Sequence, residues 1–152
     1  MRDHYTAFGV VSFMFISQEN NLLEHQKAIE AFWQQQVVQS TLCCDDYKLQ
    51  YAYVIPEKAT RAVVISNGRI ESLLKYKELM WEFVQNNYAV FIVDHRGQGL
   101  STRKLANKHK GYIVDFKDYT NDFALFNQRI VDTHWQGKKY LLAHSMGPAI
   151  AA

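Results

Sequence analysis

The sequence predicts an α/β fold with a mixed sheet, in which an antiparallel hairpin is followed by parallel βαβ units. Residues 39–44 and 47–54 have the character of two strands on either side of a short acidic turn, which is typical of a hairpin. Residues 61–144 then alternate apolar runs with segments of helical spacing, the pattern of parallel strands joined by right-handed crossovers. The length of 152 residues suits one domain. We expect one incomplete domain over residues 1–152, with a variable segment (1–18) and a core portion (19–152).

An apolar run and an amphipathic helix come first. The run at residues 7–16 is shorter than the roughly 20 residues that span a bilayer. It also lacks the basic start and small-residue cleavage site of a signal peptide, so we expect a buried segment or a surface-lying anchor. Residues 19–37 are predicted to be helical. The expected apolar stripe consists of Leu22, Leu23, Ile29, Phe32 and Trp33.

The hairpin pairs a strand at residues 39–44 with one at residues 47–54, and Asp45 and Asp46 form its turn. The second strand should place four residues on one face: Tyr47, Leu49, Tyr51 and Tyr53. In the βαβ region the strand at 61–66 is continuously apolar, so we expect it at the centre of the sheet. The other elements predicted there are strands at 88–94 and 138–144 and helices at 73–86 and 115–131.

Charge and cysteine content narrow the classes of function. Seventeen basic and 15 acidic residues give a net charge of +2, which offers no electrostatic argument for a nucleic-acid partner. Cys43 and Cys44 are adjacent, so a structural disulfide between them is not expected. The sequence has no Cys and His spacing typical of zinc sites. We therefore expect no metal, and a reducing compartment.

A sharp turn should follow the last predicted strand, where the sequence reads LAHSMG (142–147). Small residues two before and two after Ser145 fit the crowded strand-to-helix turn that exposes a strained nucleophilic serine. The Met146 amide opens the next helix, where the dipole favours a developing oxyanion. The alternative is a serine that caps the helix, but a cap leaves Ala143 and Gly147 unexplained.

Two earlier loops should lie beside this turn. In the loop at 67–72, Gly68 permits a tight turn that can aim the Arg69 amide at the oxyanion. An ordinary loop with Ser72 as helix cap is the compatible alternative.

The loop at 94–101 has three interpretations. A dinucleotide fingerprint would start at Gly97 and Gly99, but its third glycine is replaced by Thr102. Asp94 and His95 could form a catalytic pair, although sequence neighbours rarely face each other productively. A structural loop beside the site is the interpretation that we favour.

Three segments, in this order and spacing, carry a family resemblance: NGRIES (67–72), VDHRGQGLS (93–101) and LAHSMG (142–147). Together they resemble the α/β-hydrolases of the monoglyceride lipase and lysophospholipase type, over about residues 30–152. The resemblance implies the amino-terminal half of that fold, Ser145 as the nucleophile, and the amides of Arg69 and Met146 as oxyanion donors. It also implies hydrolysis of a lysophospholipid or monoacylglycerol at a membrane surface, without a cofactor.

Ala143 and Pro148 depart from the Gly-x-Ser-x-Gly-Gly pattern usual in that family. A proline is tolerated in a first helical turn, because no intrahelical donor is lost there. In this fold the acid and the histidine follow the serine, and only seven residues follow Ser145. We therefore expect the catalytic Asp and His beyond residue 152, and little esterase activity from the chain alone.

No motif surrounds His25, His109 or His134. His144 is next to the nucleophile, but its side chain should point in another direction, so we expect none of these histidines to act as the base. The expected location is cytoplasmic, or peripheral on the inner face of the inner membrane. Three alternatives to the esterase remain open at this point. They are a non-catalytic remnant that binds lipid or a partner, a peptidase of the same fold similar to proline aminopeptidases, and a nucleotide-binding protein.

Overall fold

Five strands form one mixed sheet in the computed structural model, which describes residues 14–17, 21–44, 46–107 and 110–152. The strand order across the sheet is β1-β2-β4-β3-β5. The strands are β1 (Val38–Cys44), β2 (Tyr47–Val54), β3 (Arg61–Ser66), β4 (Tyr88–Val93) and β5 (Lys138–Ala143). The predicted hairpin and the central position of residues 61–66 are both confirmed, although Asp45 of the turn lies outside the described residues.

The pairing directions confirm the mixed sheet. β1 pairs antiparallel with β2, and β2 pairs antiparallel with β4. β3 pairs in parallel with β4 on one side and with β5 on the other. Ser66 at the end of β3 lies opposite Val93 and Ala143, so three parallel strands end together at one edge. Open α/β sheets bind ligands at that edge.

Helices cover both faces of the sheet. They are α1 (Leu22–Gln35), a 3-10 turn (Leu73–Tyr76) that runs into α2 (Lys77–Gln85), α3 (Lys117–Phe126), a π-helical turn (Asn127–Val131), α4 (Asp132–His134) and α5 (Gly147–Ala151). The helix predicted at 115–131 therefore begins two residues later and ends three residues later than expected. The π-helical turn passes directly into α4, which carries the helical segment past the predicted end.

Alternate residues of β3 face two separate apolar clusters. Val63 and Ile65 join the cluster under α1 and α2, whereas Ala62 and Val64 join the cluster under α3. The α3 side contributes three buried aromatic rings: Tyr119, Phe123 and Phe126. This two-sided burial explains why the strand is continuously apolar in sequence.

The apolar stripe predicted for α1 is wrong at one residue, which is exposed and not buried. Ile29, Phe32 and Trp33 are buried, but Leu23 is 84% exposed. Leu23 precedes Phe32 by nine residues, which is two and a half helical turns, so the two side chains point to opposite sides. The side chain of Leu22 lies outside the described part of the structure.

The apolar run at residues 7–16 is described only from Met14 onwards. Met14 and Phe15 are exposed. The amides of Ile16 and Ser17 donate to the buried Glu82 carboxylate on α2, at 2.9 and 2.5 Å. Within the described ranges, no helix combines the length and apolar character needed to cross a bilayer.

Candidate active site

Ser145 lies in a tight turn between β5 and α5. The His144 amide donates to the Ser66 carbonyl at 3.1 Å, and the Gly147 amide donates to the His144 carbonyl at 2.8 Å. Ser145 itself has a left-handed φ of 55° and is exposed. The chain therefore turns sharply from strand to helix and leaves the serine at its tip, as the sequence predicts.

Gly147 allows α5 to approach β3 closely. A Cβ atom at this position would lie 2.1 Å from the Ser66 carbonyl oxygen. The Ser66 hydroxyl also donates to the Gly147 carbonyl at 3.1 Å. Pro148 lies in the first turn of α5 and is exposed, so its missing amide removes no helical hydrogen bond.

The loop at 67–72 packs directly against this turn. A Cβ atom on Gly68 would lie 3.1 Å from Ser145 Cβ and 3.0 Å from His144 Nδ1. The buried Gln98 side chain holds the loop from the other side. It donates to the Gly68 carbonyl at 2.8 Å and accepts from the Ile70 amide at 3.3 Å. The serine turn packs against Gly68, and the Gln98 side chain bonds to both Gly68 and Ile70. The backbone on each side of Arg69 is therefore held in place.

Backbone strain is concentrated at the same place. Ile70 has a φ of 64°, and Ser145 has a φ of 55°. A left-handed conformation is unfavourable for a β-branched residue such as isoleucine. Strained residues persist only where the surrounding structure over-determines them, and they cluster at functional sites.

Asp94 joins the loops that follow β3 and β4. Its buried carboxylate accepts hydrogen bonds from the Leu73 amide at 2.6 Å and the Leu100 amide at 2.8 Å. Asn67 and Ser72 add side-chain hydrogen bonds. Burial raises the pKa of Asp94, against the opposing effect of these donors. These contacts confirm the structural interpretation of the 94–101 loop.

The other two interpretations of that loop do not fit its geometry. His95 is buried, and its Nε2 lies 3.2 Å from the Ser66 hydroxyl. Burial lowers the pKa of His95 to about 4. After Gly99 the chain runs beside β2, where the Thr102 amide donates to the Lys48 carbonyl at 2.9 Å. A dinucleotide fingerprint would open a helix at this point, whereas α3 begins only at Lys117.

Glu71 and His144 form a contact that the sequence analysis missed. The Glu71 carboxylate accepts from the Gly68 amide at 2.6 Å, from the Tyr76 hydroxyl at 2.8 Å and from His144 Nδ1 at 3.1 Å. Burial raises the pKa of Glu71, but hydrogen bonds, with Lys75 first among their donors, outweigh it and lower the pKa to about 2. Because a carboxylate only accepts, His144 Nδ1 carries the proton.

A cavity of about 520 Å³ lies beside the serine turn. Arg69 and Met146, which the sequence assigns as oxyanion donors, both line it. The remaining lining residues are Ile70, Gly97, Gln98, Arg103, Gly111, Tyr112, Ile113, Phe116 and Tyr119. This wall is largely apolar and aromatic, carries two arginines and contains no carboxylate.

Two other described histidines, His25 and His134, pack against aromatic rings away from the serine turn. The His134 ring packs against Tyr53 with centroids 4.7 Å apart, and the His25 ring packs against Trp81 at 5.3 Å. His109 lies outside the described residues. In the part of the chain that the structure describes, no hydrogen bond reaches the Ser145 hydroxyl, and no three His, Cys, Asp or Glu side chains cluster as a metal site.

Comparison with known proteins places this architecture in a family. Lysophospholipase L2 of Escherichia coli K12 is 42% identical over 120 residues, covering 79% of this chain and 35% of that protein. A Haemophilus influenzae protein named probable lysophospholipase L2 is 41% identical over 106 residues, covering 68% and 33%. The chain thus spans about a third of the length of these relatives.

Solved structures agree on the fold. Potato epoxide hydrolase I matches with a TM-score of 0.56 at 16% identity, over 76% of this chain and 34% of that one. The family profile described as serine aminopeptidase, S33, matches residues 57–152, which include β3, the loop with Asp94 and the serine turn. The chain therefore belongs to this family of α/β-hydrolases.

Proposed function

We propose that this chain carries the nucleophile and the oxyanion site of a serine hydrolase that cleaves acyl esters. The observation that carries the proposal is Ser145, exposed at a strained turn and packed against the loop that contains Arg69. Strand-to-helix turns of this kind present a serine for acyl transfer. Arg69 and the residue after the serine, Met146, line one cavity.

In the proposed reaction the Ser145 oxygen attacks the ester carbonyl carbon. The carbonyl oxygen becomes an oxyanion that the Arg69 and Met146 amides stabilise. Collapse of this intermediate breaks the bond to the alcohol, which leaves with the proton that serine gave up, and water then hydrolyses the acyl-enzyme. The proposal assigns the general base to none of the described histidines.

A lipid ester is the substrate class that the surroundings favour. The names of the relatives support a lysophospholipid, and the aromatic lining offers apolar surface for an acyl chain. Ile70, Tyr112 and Phe116 line the cavity and are also exposed, as is the nearby Val114. We propose that these apolar side chains contact a lipid surface, because large exposed apolar groups around a site mark such contacts.

An aminopeptidase is the second candidate, because the family description names that activity. Aminopeptidase substrates carry a protonated α-amino group, which a site recognises best with a carboxylate. The cavity wall has none among the described residues, and Arg69 and Arg103 would repel a cation. The charge of the cavity therefore favours the ester substrate over the peptide substrate.

Hydrolysis and covalent labelling of the purified protein test the proposal together. We expect only slow release of p-nitrophenol from p-nitrophenyl butyrate, because no described histidine reaches the Ser145 hydroxyl, and a fluorophosphonate adduct that mass spectrometry maps to Ser145. Ser145→Ala should abolish both, whereas Ser40→Ala, which removes an exposed hydroxyl on β1, should change neither. Activity that survives Ser145→Ala, or a faster release from alanine p-nitroanilide, would overturn the ester assignment. Vesicle binding without any labelling would instead support a lipid-binding protein.

A further inference from the structure

Ser66 contacts the serine turn at both of its ends. Its carbonyl accepts from the His144 amide at 3.1 Å, before the nucleophile, and its hydroxyl donates to the Gly147 carbonyl at 3.1 Å, after it. Ser66 is fully buried at the end of the central strand β3. The two contacts therefore bracket Ser145 and the Met146 amide, which are the proposed nucleophile and one of the proposed oxyanion donors.

The side chain that orients the Ser66 hydroxyl is His95. His95 Nε2 lies 3.2 Å from the Ser66 hydroxyl oxygen, and the Asn67 backbone also forms a hydrogen bond with the ring. Because the one hydroxyl proton is donated to the Gly147 carbonyl, the Ser66 oxygen can only accept from His95. His95 Nε2 therefore carries the proton of this contact.

The surroundings of His95 favour the same proton position. The residue is 1% exposed, and its Nδ1 has no partner among the described residues. A proton on Nδ1 would therefore be a buried donor without an acceptor, which is unfavourable. Burial also lowers the pKa of His95 to about 4, so the ring is neutral at neutral pH. From α3, the Tyr119 and Phe123 rings pack against the imidazole, with centroids 5.9 and 6.1 Å away, and hold it beside Ser66.

We propose that His95 is a positioning residue for acyl transfer, which acts through the Ser66 hydroxyl to fix the serine turn. This inference rests on the proposed function and adds a residue that acts through another residue. Without the His95 donor, the Ser66 hydroxyl is free to rotate, and its contact with the Gly147 carbonyl no longer fixes the first turn of α5 to β3. Displacement of a nucleophile or an oxyanion donor lowers the rate, because acyl transfer depends on the alignment of the reacting groups.

Two amide side chains of different length test this role. The amide nitrogen of His95→Gln can take the place of Nε2 and donate to Ser66, whereas that of His95→Asn reaches only the place of Nδ1. The measurement is fluorophosphonate labelling of Ser145, with the maximal rate constant and the binding constant of the probe determined separately. His95→Asn should lower the maximal rate constant about tenfold, the scale of one hydrogen bond, and leave the binding constant unchanged. His95→Gln should keep at least about half of the maximal rate constant.

Ser66→Ala removes only the hydroxyl and is the second test. It should slow labelling about as much as His95→Asn, and the double variant should be no slower than either, because all three lose the same link. His134→Asn and Ser40→Ala are the matched controls, and both should leave labelling unchanged, because their side chains lie away from the serine turn. Circular dichroism checks that each variant folds. Equal labelling of the two His95 variants would overturn the inference, as would a double variant whose loss equals the product of the single losses.

Nuclear magnetic resonance tests the link without any chemistry at Ser145. The His95 ring should carry a proton on Nε2 and none on Nδ1, and the reverse would overturn the inference. The Ser145 and Met146 amide resonances should shift in His95→Asn and stay close to their original positions in His95→Gln. Unshifted amides in His95→Asn would contradict a role in positioning the turn. A protein that shows these shifts but is never labelled would refute the ester hydrolase and not the link from His95 to the turn, so the two failures are distinguishable.

Discussion

Replacing Gly147 with alanine tests how α5 and β3 position the serine turn. In an unhindered helix this change stabilises a protein by about 0.4–1 kcal/mol, because alanine loses less conformational freedom on folding. Here the new Cβ atom would lie 2.1 Å from the Ser66 carbonyl oxygen, about 1.3 Å closer than an ordinary contact at 3.4 Å. The obstacle is backbone in a central strand, so it cannot rotate away.

We therefore expect Gly147→Ala to lower the free energy of unfolding by about 2–3 kcal/mol, the upper part of the range typical of an overpacked core. Gly111→Ala is the matched control, because its Cβ atom would meet nothing closer than 3.9 Å. Urea titration followed by circular dichroism measures both variants. A Gly147→Ala protein as stable as the unmodified protein would refute the idea that α5 is pressed against β3. Hydrolysis should also fall, since the displaced turn carries the nucleophile.

Three other perturbations have defined outcomes. Asp122→Asn should lower the free energy of unfolding, measured in urea, by about 3 kcal/mol, because it removes the negative charge that is paired with the buried Arg96. A loss below about 1 kcal/mol would contradict this expectation. Burial lowers the pKa of His95 from 6.5 to about 4, so the unfolded chain binds the extra proton and stability should fall as the pH drops through this window. His95→Gln should flatten that pH dependence, and an unchanged slope would refute the assignment. Ile70→Gly should raise the free energy of unfolding by up to about 1 kcal/mol, because glycine adopts the left-handed φ without strain, and a destabilised variant would argue against strain at this residue.

Periodicity predicted the sheet and most helix positions, because the apolar faces of these elements repeat at fixed spacings. It failed at Leu23, which is out of phase with the buried stripe of α1. The serine turn was predictable from local residues, since small side chains around Ser145 satisfy a steric demand within six positions. The left-handed φ of 55° at Ser145 agrees with that demand.

The network around the turn was not predictable in the same way. His144 and Glu71 are 73 positions apart, and their contact depends on β3 and β5 becoming neighbours in the sheet. The cavity wall at Tyr112 and Ile113 comes from an irregular segment without periodicity or motif. A local signal did exist for Glu71, which bonds back to the Gly68 amide three positions earlier, much as a capping glutamate does.

The Asp94 carboxylate couples the conformations of the loops that follow β3 and β4 at the sheet edge. Because it accepts from the Leu73 amide on one loop and the Leu100 amide on the other, neither loop can shift without disturbing the partner's hydrogen bonds. Substitutions in the two loops should therefore be non-additive when combined, in contrast to pairs at distant sites. Attempts to alter substrate choice by redesigning one loop alone would change the other as well, so the two segments have to be engineered as a single unit.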